Sequence, residues 1–339
     1  MAQKPMQNDD TRFQKNETPD RRSHPNGRGR KADKPSAIPK PGWRDILLRV
    51  KEEQNKDNVS IISAGVAFYS LLAIIPALAA MVSIYGLVFD PAGIQQQLSF
   101  LQNILPPEAY QLLQSQLNRL VSGSGGTLSL GLIVGLLLSI WSAAKGMKAL
   151  IIALNIAYDE TESRSFFKLN GMALLLTFGG ILFVLLSLAL IAALPAIFGT
   201  LGLPDSIQTA LSISKWPVLA ILIMVAVSVL YRYAPDRDHP RFRWLSWGAA
   251  GATLLWIVAS LLFSFYVSNF GSYNKTYGSL GAIVILLMWF FLTAYSVIMG
   301  AELNAEMEHQ TQKDTTRGNP APMGQRGAHA ADTVGRSPE

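Results

Sequence analysis

The chain has 339 residues, of which 50% are hydrophobic and 15% are charged, and its formal net charge is +6. A soluble chain carries about 25% charged residues, so this composition excludes an ordinary cytosolic enzyme. The sequence has no cysteine and only four histidines, so we expect no disulfide, no metal site and no cofactor. The apolar residues form long runs, which is typical of a polytopic membrane protein.

The N-terminal part of the chain is polar and basic. Residues 1–41 contain few large apolar side chains, and we predict that they are disordered. Residues 42–58 are predicted to form an amphipathic helix that lies on the inner leaflet and binds anionic lipid, or that docks against cytoplasmic loops. Aromatic side chains are too few in this region for nucleic-acid stacking, so no nucleic-acid partner is expected. The apolar positions of the helix are Trp43, Ile46, Leu47 and Val50.

Six apolar runs follow, each near the ~20 residues that a helix needs to cross a bilayer. We therefore predict an all-α fold, a polytopic six-helix transmembrane bundle within residues 59–308. Pro76 lies inside the first run and predicts a kink there. Residues 309–339 are as polar as the N-terminal tail and are also predicted to be disordered. The predicted spans are about 60–89, 128–157, 170–196, 216–233, 245–268 and 279–302.

Lysine and arginine are distributed unevenly along this pattern. Of the 29 such residues, 26 precede the first span, lie in or beside the 2–3 and 4–5 connections, or follow the sixth span. The other side of the predicted bundle has only Arg119, Lys215 and Lys275. Because basic residues stay on the cytoplasmic side, we expect both termini to be cytoplasmic.

Two outer segments carry specific predictions. Residues 92–121 contain two apolar stripes separated by Pro106-Pro107, which predicts a helical hairpin over the outer mouth, either a gate or a passive cap. The 5–6 connection is a candidate recognition loop, and a tight turn with interfacial tyrosines is the alternative. Its candidate residues are Asn269, Tyr273, Asn274, Lys275 and Tyr277.

Three stretches of the chain, residues 63–89, 140–160 and 231–306, together resemble one family. The most distinctive parts are NFGSYNKTYGSLGA, which begins at Asn269, and GAELNAE, which ends at Glu306. The sequence resembles the YihY/BrkB family of bacterial inner-membrane proteins over about residues 43–308. The resemblance implies a multi-pass plasma-membrane protein with a link to virulence and to outward movement of lipid-linked or small polar molecules. Members of this family have also carried the label ribonuclease BN, which is regarded as a misassignment.

Ionisable residues at membrane depth are costly, so they indicate function. We predict that Lys145 pairs with Glu302 at the inner end of a polar cavity, where the pair binds or gates a charged solute. Lys148 and Glu306 lie one turn further along the same two helices, and solvated or snorkelling side chains are the alternative for all four. Asn155 either faces the bundle or lies beyond the membrane on an extension of the second helix.

Two further sets of residues are candidates for binding or packing. Arg232 and Arg237 form a candidate inner clamp for a phosphate or carboxylate, and a topology signal with an Arg–Asp pair is the alternative. Gly131 and Gly135 form a GxxxG motif that predicts close helix packing and leaves a homo-oligomer open.

The sequence lacks a Walker A motif, HExxH, GxSxG and Cys/His clusters, so we do not expect an enzyme. We predict a transporter, exporter or flippase of a small polar or lipid-linked solute, without its own ATPase. The alternative is a non-transporting membrane scaffold or envelope-maintenance factor.

Overall fold

The computed structural model describes residues 27–88, 114, 130–200, 204–270 and 279–337. The described ranges contain helices and no strand, with one isolated antiparallel bridge between Pro240 and Thr316. This confirms the all-α prediction. The helices are α1 Lys40–Lys56, α2 Val59–Val88, α3 Leu130–Ala157, α4 Phe166–Thr200, α5 Asp205–Tyr233, α6 Phe242–Phe270, α7 Ser279–His309 and α8 His329–Asp332.

Helices α3 to α7 are each long and apolar enough to cross a bilayer. Helices α1 and α2 form a pair bent by 62°, which makes a sixth candidate span if it is counted as one. Large apolar side chains cover the outer surface: Phe265 is 68% exposed and Leu261 66% exposed. Such side chains suit a surface in contact with lipid, so the polytopic helical bundle predicted from the sequence is confirmed.

The six long helices pack in a closed ring. Each of α2 to α7 contacts the next in chain order, and α7 returns to contact α2. Helices α6 and α7 approach closely at Gly248, where an added Cβ would lie 2.2 Å from the carbonyl oxygen of Gly300. Helix α7 also contacts α1, α3 and α8, so it packs against helices both within the ring and outside it.

The structure tests the predicted glycine motif and proline kink only in part. An added Cβ on Gly135 would meet nothing within 4 Å in the described part of the chain, so close packing at this glycine stays a prediction. The surroundings of Gly131 lie outside the described residues. Helix α2 continues through Pro76, and the kink itself stays a prediction. The predicted outer hairpin also lies outside the described residues, apart from Gln114, which is helical.

One end of the bundle, here called the charged end, contains both described ends of the chain and two of the connections between helices. It contains residues 27–58, 158–165, 234–241 and 302–337. Arg30 donates to the carbonyl oxygen of His309 at 3.0 Å, and the backbone N–H of Asp238 donates to Gly327 at 2.9 Å. The N- and C-terminal segments therefore lie on the same side of the ring.

Residues 309–337 make defined contacts in the structure, whereas the sequence pattern predicts a disordered tail over residues 309–339. Buried Arg326 donates to the carbonyl oxygens of Ala331 at 2.6 Å, Gln312 at 2.9 Å and Ala321 at 3.1 Å. Residues 27–41 also make defined contacts, whereas residues 1–26 are outside the described ranges. Composition is a poor guide here because hydrogen bonds from buried arginines, together with a few buried apolar residues such as Ile38 and Ala330, hold these segments.

Helix α1 begins the charged end and docks on α7. Its buried face contains Ile46 and Val50, packed with Trp244 and Met307. Asp45 and Arg49 are buried on the same face, although the sequence pattern places them mainly on the polar side. Helix α1 ends at a bend where Asn58 adopts a left-handed conformation with φ +52°, which asparagine tolerates better than most residues.

Candidate functional site

Three glutamates occupy the last two turns of α7, and all are buried. Glu302 is 2% exposed, Glu306 5% and Glu308 0%. Burying a carboxylate is costly unless a cation or several hydrogen bonds compensate it. The partners of these three side chains therefore decide what each can do.

Glu308 is paired with Arg237. Two guanidinium nitrogens donate to its carboxylate at 2.8 and 3.1 Å, and both side chains are fully buried. The same guanidinium lies 4.9 Å from the centre of the Tyr158 ring. Arg237 therefore joins the α5–α6 connection to α7 through this ion pair.

The predicted clamp of Arg232 and Arg237 is not formed. Arg232 donates to the carbonyl oxygen of Pro240 at 3.1 Å, and its guanidinium lies 4.3 Å from the centre of the Phe242 ring. Its Nε is buried with no hydrogen-bond partner among the described residues. The two arginines face different partners because the chain turns sharply between the ends of α5 and α6.

Glu306 is paired with Arg49 of α1. The Arg49 guanidinium donates to the Glu306 carboxylate, to the Glu306 carbonyl oxygen at 3.0 Å and to Gln310 at 2.8 Å. This interaction fastens α1 to α7. Lys148, predicted near this position, instead donates to Asn170 at 3.3 Å and lies 5.6 Å from the centre of the Phe166 ring.

Glu302 has no basic partner in the described part of the chain, and the predicted pair with Lys145 is not formed. Lys145 is exposed and makes no salt bridge with any described residue. On α3, Ala144 and Gly146 face neighbouring helices, which turns Lys145 away from the bundle. Similar depth in the bundle does not bring two side chains together when their helix faces differ.

The neighbours of Glu302 are acidic. Asp57, which lies at the bend between α1 and α2, is close enough to Glu302 to interact electrostatically, and so are Glu53 and Asp159. Its Oε1 is buried without a hydrogen-bond partner among the described residues. We call Glu53, Asp57, Asp159 and Glu302 the carboxyl cluster.

One lysine borders the carboxyl cluster. Lys56 is 2.6 Å from Glu53 and 3.9 Å from Asp159, and its side chain is 57% exposed. Burial, followed by the charges of Asp159 and Glu53, raises the pKa of Asp57 to about 6. The cluster therefore has more carboxyl groups than nearby cations and contains a group that titrates close to neutral pH.

Asn155 lies at the charged end of α3 and is 3% exposed. Its amide nitrogen donates to Glu162 at 2.9 Å, and its amide oxygen accepts the backbone N–H of Asp236 at 2.8 Å. Arg164 donates a hydrogen bond to the carboxylate of Glu162 at 2.6 Å, and this hydrogen bond lowers the pKa of Glu162. Asn155 thus joins α3 to both connections at the charged end rather than facing lipid.

A cavity of about 460 Å³ opens beside these connections, and its volume suits a small solute. Two of its arginines are already paired, Arg164 with Glu162 and Arg237 with Glu308. Lys168 also lines it, is exposed and makes no salt bridge with a described residue. The cavity combines positive and negative groups at the charged end of the bundle.

Most of the predicted outer loop lies outside the residues that the structure describes. Asn269 belongs to α6, but its side-chain surroundings are not described. The other four candidates, Tyr273, Asn274, Lys275 and Tyr277, lie outside the described residues.

Comparison with known proteins places the chain in one family. The sequence model of virulence factor BrkB matches residues 50–324. The chain belongs to the virulence factor BrkB family. This confirms the resemblance inferred from its motifs, and the matched region contains the whole carboxyl cluster.

Curated relatives of this BrkB family member have general names. A putative ribonuclease-like protein, YfkH, of Bacillus subtilis is 34% identical over 258 residues, which covers 74% of this chain and 90% of the relative. A UPF0761 membrane protein of Idiomarina loihiensis is 28% identical over 258 residues, with 75% and 87% covered. One from Photobacterium profundum is 26% identical over 269 residues, with 78% and 81% covered. No solved structure matches the chain.

The positions that sequence reasoning missed are Arg49, Asp57 and Asp159. Arg49 is one of many basic residues before the first span, and no local pattern distinguishes it. Asp57 and Asp159 each follow a helix end, and Asp159 has a left-handed backbone with φ +54°. A carboxylate at such a breakpoint is the one local signal that points to them.

Proposed function

We propose that this BrkB family member is a proton-coupled transporter that moves a small polar or lipid-linked solute across the bacterial inner membrane. The observation that carries the proposal is the carboxyl cluster, where buried Glu302 has acidic neighbours and an oxygen without a hydrogen-bond partner among the described residues. In a membrane bundle, a buried ionisable group without a structural partner favours a functional role.

The chemistry of the cluster supports proton binding. Two ionised carboxyl groups repel each other, so the placement of Asp57 near buried Glu302 favours a state in which one of them carries a proton. Loss of that proton leaves two neighbouring negative charges, which repel each other. Uptake and release of one proton therefore change the force between α7 and the bend that precedes α2.

This placement suits coupling to a conformational change. The bend separates α1, which is fastened to α7 by Arg49, from α2, which belongs to the ring. A proton that stabilises one arrangement of the bend more than another shifts the population between them. The cavity beside Lys168 is the candidate entry for solute at the same end of the bundle.

The orientation of the bundle follows the distribution of basic residues. In the proposed topology, both termini and the charged end are cytoplasmic. The outward face of α1 has exposed Arg44, Leu47, Leu48 and Lys51, a combination that suits the anionic inner leaflet.

A scaffold function is the second candidate, and the buried ion pairs favour it. Arg49–Glu306 and Arg237–Glu308 tie three elements of the charged end together. A scaffold needs such bonds but has no requirement for the proton of Glu302. The two functions therefore differ in their response to a substitution at residue 302.

The test uses a bacterium that lacks its own copy of the gene, complemented with the wild type, Glu302→Gln or Glu52→Gln at matched membrane abundance. Glutamine keeps the size of glutamate and stays neutral. Glu52 is an exposed acidic residue of α1, outside the cluster, so it is the matched control. Untargeted profiles are measured for small molecules in medium and cytoplasm, and for lipids in both leaflets.

We expect one solute or lipid to accumulate inside the deletion strain and the Glu302→Gln strain, with the Glu52→Gln strain matching the wild type. A Glu302→Gln profile that matches the wild type would contradict the transporter and favour the scaffold.

A further inference from the structure

Two of the four histidines, His309 and His329, lie close together at the charged end, although the sequence around them matches no metal-binding motif. His309 is the last residue of α7 and His329 the first residue of α8, and their ring centres are 5.8 Å apart. Asp159, which follows α3, completes the group: one ligand atom from each of the three residues lies within 4.8 Å of the others. Nδ1 of His329 is 3.8 Å from Oδ2 of Asp159.

A hydrogen-bond chain orients the His309 ring. Thr333 has one hydroxyl proton, which it donates to the carbonyl oxygen of His329 at 2.8 Å. With its proton donated in this way, the Thr333 oxygen, 2.9 Å from Nδ1 of His309, accepts a hydrogen bond from that nitrogen in the matching tautomer. This leaves Nε2 of His309 with the lone pair, and such an outer hydrogen bond is the usual support of a metal-binding histidine.

We propose that Asp159, His309 and His329 bind a divalent transition-metal ion, with Zn²⁺ as the best chemical match. Two imidazole nitrogens and one carboxylate oxygen are ligands that Zn²⁺ takes in proteins, and water completes a tetrahedral shell in sites of this kind. Tetrahedral bonds of about 2.0–2.2 Å place ligand atoms about 3.3 Å apart. The ligand atoms must therefore move closer by up to about 1.5 Å.

The described side chains allow that movement. Asp159 and His329 have side chains that are 37% and 46% exposed, so they can turn without disturbing the core. His309 is 7% exposed and is held by Thr333, so it provides the rigid part of the site. Closing the shell requires these two exposed side chains to rotate toward His309.

The bound ion joins three separate parts of the chain. It connects the end of α3, the end of α7 and the C-terminal segment through α8. The match to the BrkB family ends at residue 324, before His329. Asp159 and His309 lie inside the matched region and His329 lies outside it, and the bound ion holds the C-terminal segment against the charged end.

The site is tested on the purified full chain without an affinity tag, by Zn²⁺ titration in competition with a chromogenic chelator. The variants are His329→Ala, Asp159→Asn and, as matched control, His239→Ala. His239 is also an exposed histidine at the charged end, but it packs against Tyr233 and lies outside the group.

We expect one Zn²⁺ per wild-type chain, a loss of affinity of at least about tenfold in His329→Ala and Asp159→Asn, and no change in His239→Ala. Saturation with Co²⁺ is expected to give the absorption spectrum of a tetrahedral site, and Zn²⁺ is expected to slow proteolysis near Arg336. Failure of the wild type to bind, or equal binding by His329→Ala, would overturn the proposal. The outcome does not depend on the transporter assignment, because no transport is measured.

Discussion

Glu302 and Glu306 are one turn apart on α7, have the same side chain and are buried to a similar extent, yet their surroundings are opposite. Glu306 accepts hydrogen bonds from Arg49, whereas Glu302 faces acidic residues and has an unpartnered oxygen. The paired glutamate stabilises the contact between α1 and α7. The rest of the fold holds the Glu302 carboxyl in an environment that disfavours its negative charge. Such an environment is expected of a functional group rather than a structural one.

The largest effect on stability is expected where pairing is most complete, at Arg237 and Glu308. Arg237→Met leaves a fully buried carboxylate without its cation, and we expect a loss of about 3–5 kcal/mol in the free energy of unfolding. Thermal unfolding in detergent measures the effect. The double variant Arg237→Met/Glu308→Leu removes both charges and is expected to recover most of the loss; a single variant as stable as the wild type would contradict a stabilising pair.

The stability effects of substituting the two neighbouring glutamates are expected to differ. Glu306→Gln weakens the acceptor for buried Arg49 and is expected to lower the free energy of unfolding by about 1–3 kcal/mol. Glu302→Gln removes a negative charge from the carboxyl cluster and is expected to leave stability unchanged or higher. Melting curves measured in parallel compare the two variants. A similar decrease in stability in both would show that Glu302 stabilises the fold as Glu306 does.

The smallest effect is expected at Asp57, and it depends on pH. Its folded-state pKa of about 6 exceeds the ordinary value of 3.8, so the folded protein binds the proton more tightly. The Asp57 contribution therefore lowers stability as pH rises from about 4 to about 6, and the penalty persists above that range. We expect Asp57→Asn to raise stability at pH 8 by on the order of 1 kcal/mol after solvent screening, and to have little effect at pH 4.

Melting temperatures of wild type and Asp57→Asn, measured between pH 4 and pH 8, check this expectation. Glu52→Gln is again the control, because Glu52 is exposed. A constant difference between wild type and Asp57→Asn at all pH values would show that Asp57 does not titrate in the folded protein over this range.

Local composition predicts the spans well because bilayer insertion depends mainly on the apolar surface within each segment. The predicted span 128–157 coincides closely with α3, and 245–268 with α6. Helix α5, however, begins at Asp205, before the predicted start at residue 216, and α7 continues past residue 302 to His309. Hydropathy marks the part of a helix that suits lipid, and the helix itself extends further where polar contacts support it.

Pairing of side chains is less predictable from local pattern. The pattern matched Lys145 with Glu302 by depth, but Lys145 lies on an exposed face of α3. Arg49 and Glu306 are separated by 257 residues, and nothing in either local sequence indicates the other. Whether two charges meet depends on how the helices rotate and pack, which small residues such as Gly146 and Gly248 control.

The sequence by itself determined that the protein is a helical membrane protein of the BrkB family, because apolar runs and distinctive motifs are local properties. Only the tertiary structure decided that Glu302 faces acidic groups and no cation among the described residues, that residues 309–337 pack at the charged end and that His309 lies beside His329. These properties arise from contacts between residues far apart in the chain, and the closed helix ring creates those contacts.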